Sequence, residues 1–351
     1  MITTKSNYSR PLDFKNGCVE MSHGSGGRAS AQLIESLFAA SFDNEFLRQG
    51  NDGATLPAPP AGCRLVMSTD AHVVSPLFFP GGDIGCLSVH GTINDVAMMG
   101  AQPLWLSASF ILEEGFPLAD LQRVVASMAQ AAKDAGVPVV CGDTKVVERG
   151  KGDGVYISTT GVGYVAPGVA PSGDRARAGD VILLSGTIGD HGMAIMSQRE
   201  GLQFEADIRS DTAALHELVD AMLATGADIH VLRDPTRGGL ATTLNEIARQ
   251  SGTGMVLDEA AIPLNKTVAA ACEFLGLDPL YVANEGKLVA ICATDDAEKV
   301  LAAMQAHPLG KAAAVIGEVV EDASCFVQMK TGLGGRRMVD WLTGDQLPRI
   351  C

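Results

Sequence analysis

The sequence lacks paired cysteines, long apolar runs and an excess of positive charge. Its 26 Lys and Arg residues stand against 41 Asp and Glu, a formal net charge of −15. This balance disfavours a duplex nucleic-acid binder and a polybasic membrane-surface protein, because both need a cationic surface. No apolar run approaches the roughly 18 residues of a membrane span, and residues 1–10 lack the apolar stretch of a signal peptide. We therefore expect a cytoplasmic protein with no nucleic-acid and no membrane partner.

The eight cysteines are spread along the chain, and no two lie within three residues of each other. The CxxC spacing of zinc and redox sites is therefore absent, and most of these cysteines sit in apolar segments typical of buried thiols in a reduced compartment. Cys351 differs, because it ends the twelve-residue stretch 340–351, which has no helical or strand periodicity. At about 3.3 Å per residue a flexible tail of this length reaches roughly 40 Å. Such a tail can carry a thiol into its own chain's site or a partner's; an accidental terminal cysteine is the alternative.

The pattern along the chain predicts an α/β protein of the α+β type. A length of 351 residues, 46% hydrophobic and 19% charged, suits two globular domains. Short apolar strands and amphipathic helices occur in both halves, but without the regular βαβ alternation of a doubly wound parallel sheet. The Pro- and Gly-rich stretch 167–179 indicates a boundary. We expect an N-terminal domain over 1–166, a C-terminal domain over 167–339 and a flexible tail over 340–351.

A glycine-rich segment, His23-Gly-Ser-Gly-Gly-Arg28, precedes a helical pattern. Glycines let main-chain N–H groups converge on an anion, and a helix N-terminus favours negative charge. The segment lacks the Lys-Ser/Thr pair of a Walker A loop and the GxGxxG of a dinucleotide fold. By itself it is equally typical of a helix-capping loop without a ligand.

Four aspartates, Asp52, Asp70, Asp95 and Asp143, follow apolar strands or lie beside helices in the N-terminal half. Carboxylates at strand ends are a route to Mg²⁺, a hard cation that prefers oxygen and works with substrate phosphates. Each aspartate alone is also typical of a turn or cap. Four in one half favour a metal–nucleotide site.

Three further charged positions admit a structural and a chemical interpretation. Lys145 lies two residues after Asp143, as in many ion pairs, and Glu285 lies at a turn between apolar segments, where a capping role is usual. The segment Asp234-Pro-Thr-Arg-Gly-Gly239 opens a helix with Pro near its first turn, which is as typical of a cap as of a site.

Taken together, these segments resemble the superfamily of ATP-dependent synthetases and kinases that includes aminoimidazole ribonucleotide synthetase, selenophosphate synthetase and thiamine-phosphate kinase. The segments that carry this resemblance are Asn51-Asp-Gly-Ala54, Ser68-Thr-Asp70, Ile93-Asn-Asp-Val-Ala-Met-Met-Gly-Ala-Gln-Pro103, Gly142-Asp-Thr144 and Gly179-Asp-Val-Ile-Leu-Leu-Ser-Gly186. A narrower set resembles the HypE family of hydrogenase maturation proteins: Pro76-Leu-Phe-Phe-Pro-Gly-Gly82, Gly142-Asp-Thr-Lys-Val-Val-Glu-Arg149, Gly189-Asp-His-Gly192, Asn284-Glu-Gly-Lys-Leu-Val289, His307-Pro-Leu-Gly-Lys311 and Pro348-Arg-Ile-Cys351.

The resemblance implies a two-domain aminoimidazole ribonucleotide synthetase-like fold, with mixed sheets and a homodimer formed through the N-terminal domains. It implies an ATP-dependent carbamoyl dehydratase. The carbamoyltransferase HypF places a carboxamide on Cys351, ATP activates the amide oxygen, and the thiol is left carrying a thiocyanate. The cyano group then passes to iron on the HypC–HypD complex, to become a cyanide ligand of [NiFe] hydrogenase.

The resemblance also implies residue roles. Cys351 carries the substrate, Glu285 is the general base, and Lys145 tunes it or assists proton transfer. The implied ATP and Mg²⁺ site consists of His23, Gly24, Gly26, Gly27, Asp52, Asp70, Asn94, Asp95, Asp143 and Thr144, with Asp52, Asp70, Asp95 and Asp143 as metal ligands. One position departs from the superfamily, which often has two acidic residues where this chain has Asn51-Asp52.

Two alternatives stay open at this point. One is a small-molecule kinase or synthetase of the same superfamily, such as a selenophosphate synthetase. That family has a Cys or selenocysteine followed closely by Lys in its N-terminal arm, whereas Cys18 here has no adjacent Lys. The other is a non-catalytic, nucleotide-regulated scaffold for hydrogenase assembly, in which Asp95 or Lys145 can change without loss of chemistry.

Overall fold

The computed structural model describes residues 11–202, 208–343 and 349–351. The strands are β1 (Arg64–His72), β2 (Phe78–Phe79), β3 (Gly82–Asp83), β4 (Ala101–Glu113), β5 (Val139–Val147), β6 (Val155–Val165), β7 (Val181–Leu184), β8 (Ile229–Arg233), β9 (Gly254–Asp258), β10 (Val289–Cys292), β11 (Ala314–Val320), β12 (Val327–Lys330) and β13 (Arg336–Met338). The helices are α1 (Arg28–Leu33), which continues through a π-helical stretch into α2 (Ala40–Phe42), then α3 (Ile84–Met98), α4 (Leu118–Asp134), α5 (Asp190–Arg199), α6 (His216–Leu223), α7 (Gly239–Ser251), α8 (Lys266–Leu275) and α9 (Ala297–Ala306).

The N-terminal half forms a four-stranded sheet in the order β1-β6-β4-β5. In β6 buried residues alternate with partly exposed ones, because only one face of the sheet is covered. Helix α3 covers that face and packs against α4; α3 is buried over nearly its whole length. The opposite face is open, and Leu65, Met67 and Ile111 on it are exposed.

The C-terminal half forms a seven-stranded sheet in the order β13-β12-β9-β11-β7-β10-β8. Strand β10, next to the edge strand β8, is buried on both faces, because separate apolar clusters lie on the two sides of the sheet. Helix α7 contributes to one cluster, and helices α6 and α9 contribute to the other.

The mixed α/β architecture confirms the predicted fold class. Among the sheet pairings of the described residues only β4–β5 and β9–β12 are parallel, so the doubly wound arrangement is excluded here as expected. The four-stranded sheet uses residues 64–165 and the seven-stranded sheet residues 181–338; the domain limits 1–166 and 167–339 stay a prediction. No helix among the described residues is long and apolar enough to cross a membrane.

The two halves meet beside α3. Ala97 and Met98 at the end of this helix join the apolar cluster that holds Leu183 of β7. Of the tail predicted as flexible over 340–351, residues 344–348 lie outside the described part of the chain. The last three residues are described, and they join the core of the N-terminal half through Ile350.

Candidate active site

The end of the chain lies in a groove of the same chain. The N–H of Val73 donates to a main-chain oxygen of Cys351 at 3.2 Å, and the N–H of Ser75 donates to the carbonyl of Arg349 at 3.1 Å. Between these two contacts the Ile350 side chain is 2% exposed. The tail residues therefore pair with the segment that follows β1, and the thiol of Cys351 lies in its own protomer.

The thiol of Cys351 lies beside the carboxyl group of Glu285, close enough for the two groups to affect each other's protonation. Glu285 is 3% exposed, and its Oε1 atom has no hydrogen-bond partner among the described residues. Burial, assisted by Asp234 and Asp211, raises the pKa of Glu285 well above its usual value. Burial and Glu285 likewise raise the pKa of the Cys351 thiol. In the docked tail both groups therefore hold their protons tightly.

The loop that carries Glu285 is fixed by Asp211. Its carboxylate accepts the N–H of Glu285 at 3.1 Å and the N–H of Gly286 at 3.3 Å, and it pairs with Lys287 Nζ at 3.1 Å. A Cβ on Gly286 would lie 1.8 Å from the carbonyl oxygen of Asp211, so this close approach requires glycine.

Asn94 of helix α3 holds the same loop from the other side. Its amide donates to the carbonyl oxygens of Ala213, at 3.0 Å, and of Glu285, at 3.2 Å, and its oxygen accepts the N–H of Leu215 at 2.8 Å. The family resemblance implies a nucleotide-binding role for Asn94. In the structure this buried side chain positions the Glu285 loop, because its polar atoms are used on the main chain.

Carboxylates from three elements lie close to one another, and Asp70 among them lies near the thiol. Asp70 lies near the end of β1, Asp95 lies on α3 and accepts Ser68 Oγ at 2.7 Å, and Asp234 precedes α7. Burial and the neighbouring Asp95 raise the pKa of Asp234 to about 7. The sequence singled out Asp234 only as part of a segment equally typical of a cap. In the structure this half-buried carboxylate is distinguished from a simple cap by its neighbours Asp70 and Asp95.

The donor chemistry at Asp70 and Asp95 fits Mg²⁺. No group of three or more His, Cys, Asp and Glu side chains within the described ranges is arranged to hold a metal ion by itself. Mg²⁺ usually takes one or two carboxylates and completes its shell with water and substrate phosphates. Two acidic side chains next to a nucleotide are therefore a sufficient protein contribution.

A cavity of about 250 Å³ lies between the glycine-rich segment, the α1–α2 helical stretch and β5. Its floor is apolar and includes Phe38 and Phe110, and its rim is polar. A Cβ on Gly24 would lie 2.8 Å from Val146, so glycine lets this segment approach β5 closely. The predicted residues that line the cavity are His23, Gly24, Gly26, Asp143, Thr144 and Lys145.

The structure thus separates the predicted residues into two groups. Asp70, Asp95, Glu285 and Cys351 form one. Asp143 and Lys145, an exposed pair joined at 2.6 Å, belong with the cavity. Asp143 of β5 lies in register with Ala71 of β1, with one residue of β4 and one of β6 between them. Three steps of about 4.8 Å therefore separate β5 from β1, roughly 14 Å.

Two predicted residues belong neither to the group around Cys351 nor to the cavity. Asp52 lies in the exposed bend at 51–53, and Gly27 is the exposed residue before α1. Exposure leaves both accessible to a ligand or to a second chain, so their predicted roles stay predictions.

Two family profiles match the two halves. The N-terminal domain of AIR synthase related proteins matches residues 50–165, and the C-terminal domain of the same group matches residues 177–330. The fold and the site therefore define an AIR synthase-related protein.

Relatives narrow this class. The chain is 70% identical over 349 residues, 99% of both chains, to the carbamoyl dehydratase HypE of Cupriavidus necator. A solved structure of the hydrogenase maturation protein HypE in complex with ATP is 54% identical with a TM-score of 0.91, covering 95% of this chain and 99% of that one. A HypE–HypF complex is 50% identical with a TM-score of 0.78, covering 88% and 99%. The chain belongs to the HypE family of carbamoyl dehydratases.

Proposed function

We propose that this chain dehydrates a carboxamide carried on the Cys351 thiol to a thiocyanate, at the expense of ATP, and so supplies the cyanide ligands of [NiFe] hydrogenase. The observation that carries this proposal is the contact between Glu285 and Cys351. A buried carboxyl group with one unpartnered oxygen faces the sulfur that would bear the carboxamide. The match to carbamoyl dehydratases over nearly the whole chain supports the same chemistry.

The reaction balances as two steps on the S-carboxamide. The amide oxygen attacks the γ-phosphorus of ATP, ADP leaves, and one N–H proton is lost, which gives an S–C(=NH)–O–phosphate. The second N–H proton is then lost as the C–O bond breaks, phosphate departs, and S–C≡N remains. The elements of water leave as the phosphate oxygen and two protons. A base close to the nitrogen is therefore required.

Glu285 is the proposed base. General-base catalysis is most effective when the pKa of the base lies near the working pH, and burial raises the pKa of this carboxyl above its usual value. In the unmodified chain Glu285 faces the proton of the Cys351 thiol, and carbamoylation of the sulfur removes that proton. The carboxylate then faces the amide, and docking of the tail replaces substrate binding.

The cavity beside the glycine-rich segment is the proposed nucleotide site. Its apolar floor suits a purine, and its rim of His23, Gly24, Gly26 and Thr144 offers polar groups to phosphates. The ATP-bound relative with TM-score 0.91 supports nucleotide binding on this fold. Asp70 and Asp95 would hold Mg²⁺, which compensates charge on the transferring phosphoryl group. Asp143 lies too far from Asp70 in the same chain to share that ion, so the predicted metal roles of Asp52 and Asp143 stay predictions.

We further propose a homodimer through the open face of the four-stranded sheet. Leu65 is 62% exposed and Met67 72% exposed on this face, which leaves apolar surface for a second copy to cover. Lys145 lies on the same face, because its register partner is Ile111. Its role in proton transfer is therefore assigned to the dimer rather than to the isolated chain.

The proposed partners beyond the homodimer are HypF, which a HypE–HypF complex of a relative supports, and the HypC–HypD complex as acceptor of the cyano group. The proposed location of these reactions is the cytoplasm.

One experiment tests the function. The purified chain is carbamoylated, MgATP is added, and the mass of its C-terminal peptide is recorded. We expect the Cys351 adduct to lose one water. Cys351→Ala serves as the control, because it should retain folding and ATP binding but acquire no adduct. An unchanged adduct on a chain that binds ATP normally would instead support the scaffold alternative.

A further inference from the structure

We propose that Asp153, His191 and Arg199 are positioning residues that form a tail clamp, a set of side chains that holds Arg349–Cys351 in the site. The inference rests on the proposed function, because it assumes that the tail carries the substrate. Beyond that function, the inference names the residues that stabilise the docked tail. None of the three touches the reacting sulfur in the described structure; each acts through Arg349 or Ile350.

His191 of α5 holds the middle of the tail. Its Nε2 lies 2.7 Å from the carbonyl oxygen of Ile350, and its Nδ1 lies 2.8 Å from Ser210 Oγ. A carbonyl oxygen only accepts, so Nε2 carries the hydrogen and Nδ1 accepts from the serine hydroxyl. The same hydroxyl accepts the N–H of Thr212 at 3.1 Å. This chain of hydrogen bonds orients a fully buried imidazole toward the tail.

The ring of His191 is also fixed by packing. Phe79 meets it edge-on at 5.5 Å between ring centres. Burial lowers the pKa of His191, which favours the neutral imidazole that the hydrogen bonds need. The ring therefore presents a donor to the tail without bringing a charge into the core.

Arg199, at the last turn of α5, holds the preceding residue. Its Nη2 donates to the carbonyl of Arg349 at 3.0 Å and to the carbonyl of Ser75 at 2.6 Å. The guanidinium thus joins the tail to the very segment with which the tail pairs. On the outside, Arg349 forms an ion pair with Asp153.

The clamp contacts the main chain of the tail, apart from the ion pair at Asp153. Two of its hydrogen bonds go to carbonyl oxygens of Arg349 and Ile350, and the Ile350 side chain fills a buried position. Arg349 takes a φ of 54°, in the left-handed region that non-glycine residues rarely adopt. The docked tail is therefore held against a local backbone cost, which makes release accessible when the clamp is weakened.

Docking restricts access to the thiol, because docked Cys351 faces Glu285 in a partly buried site with a raised pKa. An alkylating reagent needs an exposed thiolate. Cys351 should therefore react mainly while the tail is undocked, and the labelling rate of Cys351 should measure the population of the undocked tail.

The test is alkylation of the full-length chain by iodoacetamide, followed by mass spectrometry of the Cys351 and Cys18 peptides. Cys18 is exposed and serves as the internal reference. We expect Cys351 to label more slowly than Cys18 in the parent chain. Arg199→Met and Ile350→Ala should each raise the labelling rate of Cys351 by about tenfold. Arg199→Met removes a charge-assisted hydrogen bond to the tail, and Ile350→Ala removes a buried side chain.

Further variants separate positioning from a general structural defect. Asp153→Asn should raise the Cys351 rate less, because its ion pair is exposed. Arg199→Lys should restore part of the protection, since a lysine can still donate to a carbonyl. Arg249→Met is the matched control, because Arg249 is an exposed arginine at the end of α7, and it should label like the parent chain.

The outcomes distinguish the clamp from the proposed function. Equal labelling of Cys351 in the parent chain, Arg199→Met and Ile350→Ala overturns the clamp. A slower single-turnover dehydration in Arg199→Met without faster labelling also overturns it, because Arg199 would then act in the chemistry. Faster labelling in a protein whose parent chain never dehydrates its adduct supports the clamp and refutes the function.

Discussion

The carboxyl of Glu285 and the thiol of Cys351 lie side by side inside one protomer, although one belongs to a loop before β10 and the other ends the chain. The contact depends on two separate supports. Asp211 and Asn94 fix the loop, and main-chain hydrogen bonds from Val73 and Ser75 fix the tail. The carrier and the proposed base are therefore positioned independently and meet only when the tail is docked.

Substitution of Glu285 by Gln should block dehydration while leaving the adduct on Cys351. Glutamine keeps the shape of the side chain but cannot accept a proton, and a general base typically contributes about 10²–10⁴ in rate. The measurement is the single-turnover loss of water from the carbamoylated C-terminal peptide. Carbamoylation by the partner enzyme should be unchanged.

A normal rate in Glu285→Gln would remove Glu285 as the base. Lys287→Gln is a useful comparison, because Lys287 neighbours the same loop through Asp211 but has no described contact with Cys351. We expect that variant to retain more activity than Glu285→Gln.

Much of the fold could be predicted from the sequence. The alternating residues of β1 and β6 and the amphipathic pattern of α4 identify these elements directly, since each has one covered face. Strand β9 and helix α8 are harder to identify from the sequence. The five residues of β9 lack a flanking pattern, and α8 depends on apolar contacts with α5 and on an Asn265 cap rather than on a long stripe.

The site could be predicted only in part. Glu285 and Cys351 were paired by resemblance, and the geometry brings them together. The separation of Lys145 from Glu285 depends on the strand order β1-β6-β4-β5, which local periodicity does not encode. His191 and Arg199 carry no motif that distinguishes them from ordinary helix residues. Only the course of the last three residues shows what they bind.

Substitution of Asn94 by Ala should lower both stability and dehydration. Three main-chain groups lose their buried partner, which should cost roughly 2–4 kcal/mol in the free energy of unfolding. Denaturant titration and the single-turnover assay measure the two effects. Asn245→Ala is the matched control, because this buried asparagine bonds Ala241 and Val339 away from the site.

The two asparagine variants should differ in their chemistry. At a temperature where both are folded, Asn94→Ala should dehydrate more slowly because the Glu285 loop is displaced, whereas Asn245→Ala should react at the parent rate. Equal rates in the two variants would show that Asn94 contributes stability alone.

Substitution of Asp95 by Asn should raise the Mg²⁺ concentration needed for half-maximal ADP formation, by about tenfold or more. Asparagine can still accept the Ser68 hydroxyl, but it brings no charge to the cation. Asp174→Asn, at an exposed carboxylate before the C-terminal sheet, is the control. An unchanged Mg²⁺ requirement in Asp95→Asn would exclude this carboxylate as a ligand.

Substitution of His90 by Gln should reduce the loss of stability in mild acid. His90 lies half-buried on α3 with its Nδ1 3.0 Å from Thr212 Oγ1, and desolvation lowers its pKa from 6.5 to about 4. Below pH 6.5 the unfolded chain takes up a proton that the folded chain refuses, so the free energy of unfolding falls by about 1.4 kcal/mol per pH unit down to pH about 4. Glutamine can keep the Thr212 bond without titrating. Between pH 7.5 and pH 5 we therefore expect the parent chain to lose about 2 kcal/mol more than the variant, and parallel denaturation profiles would show that His90 ionises freely in the folded protein.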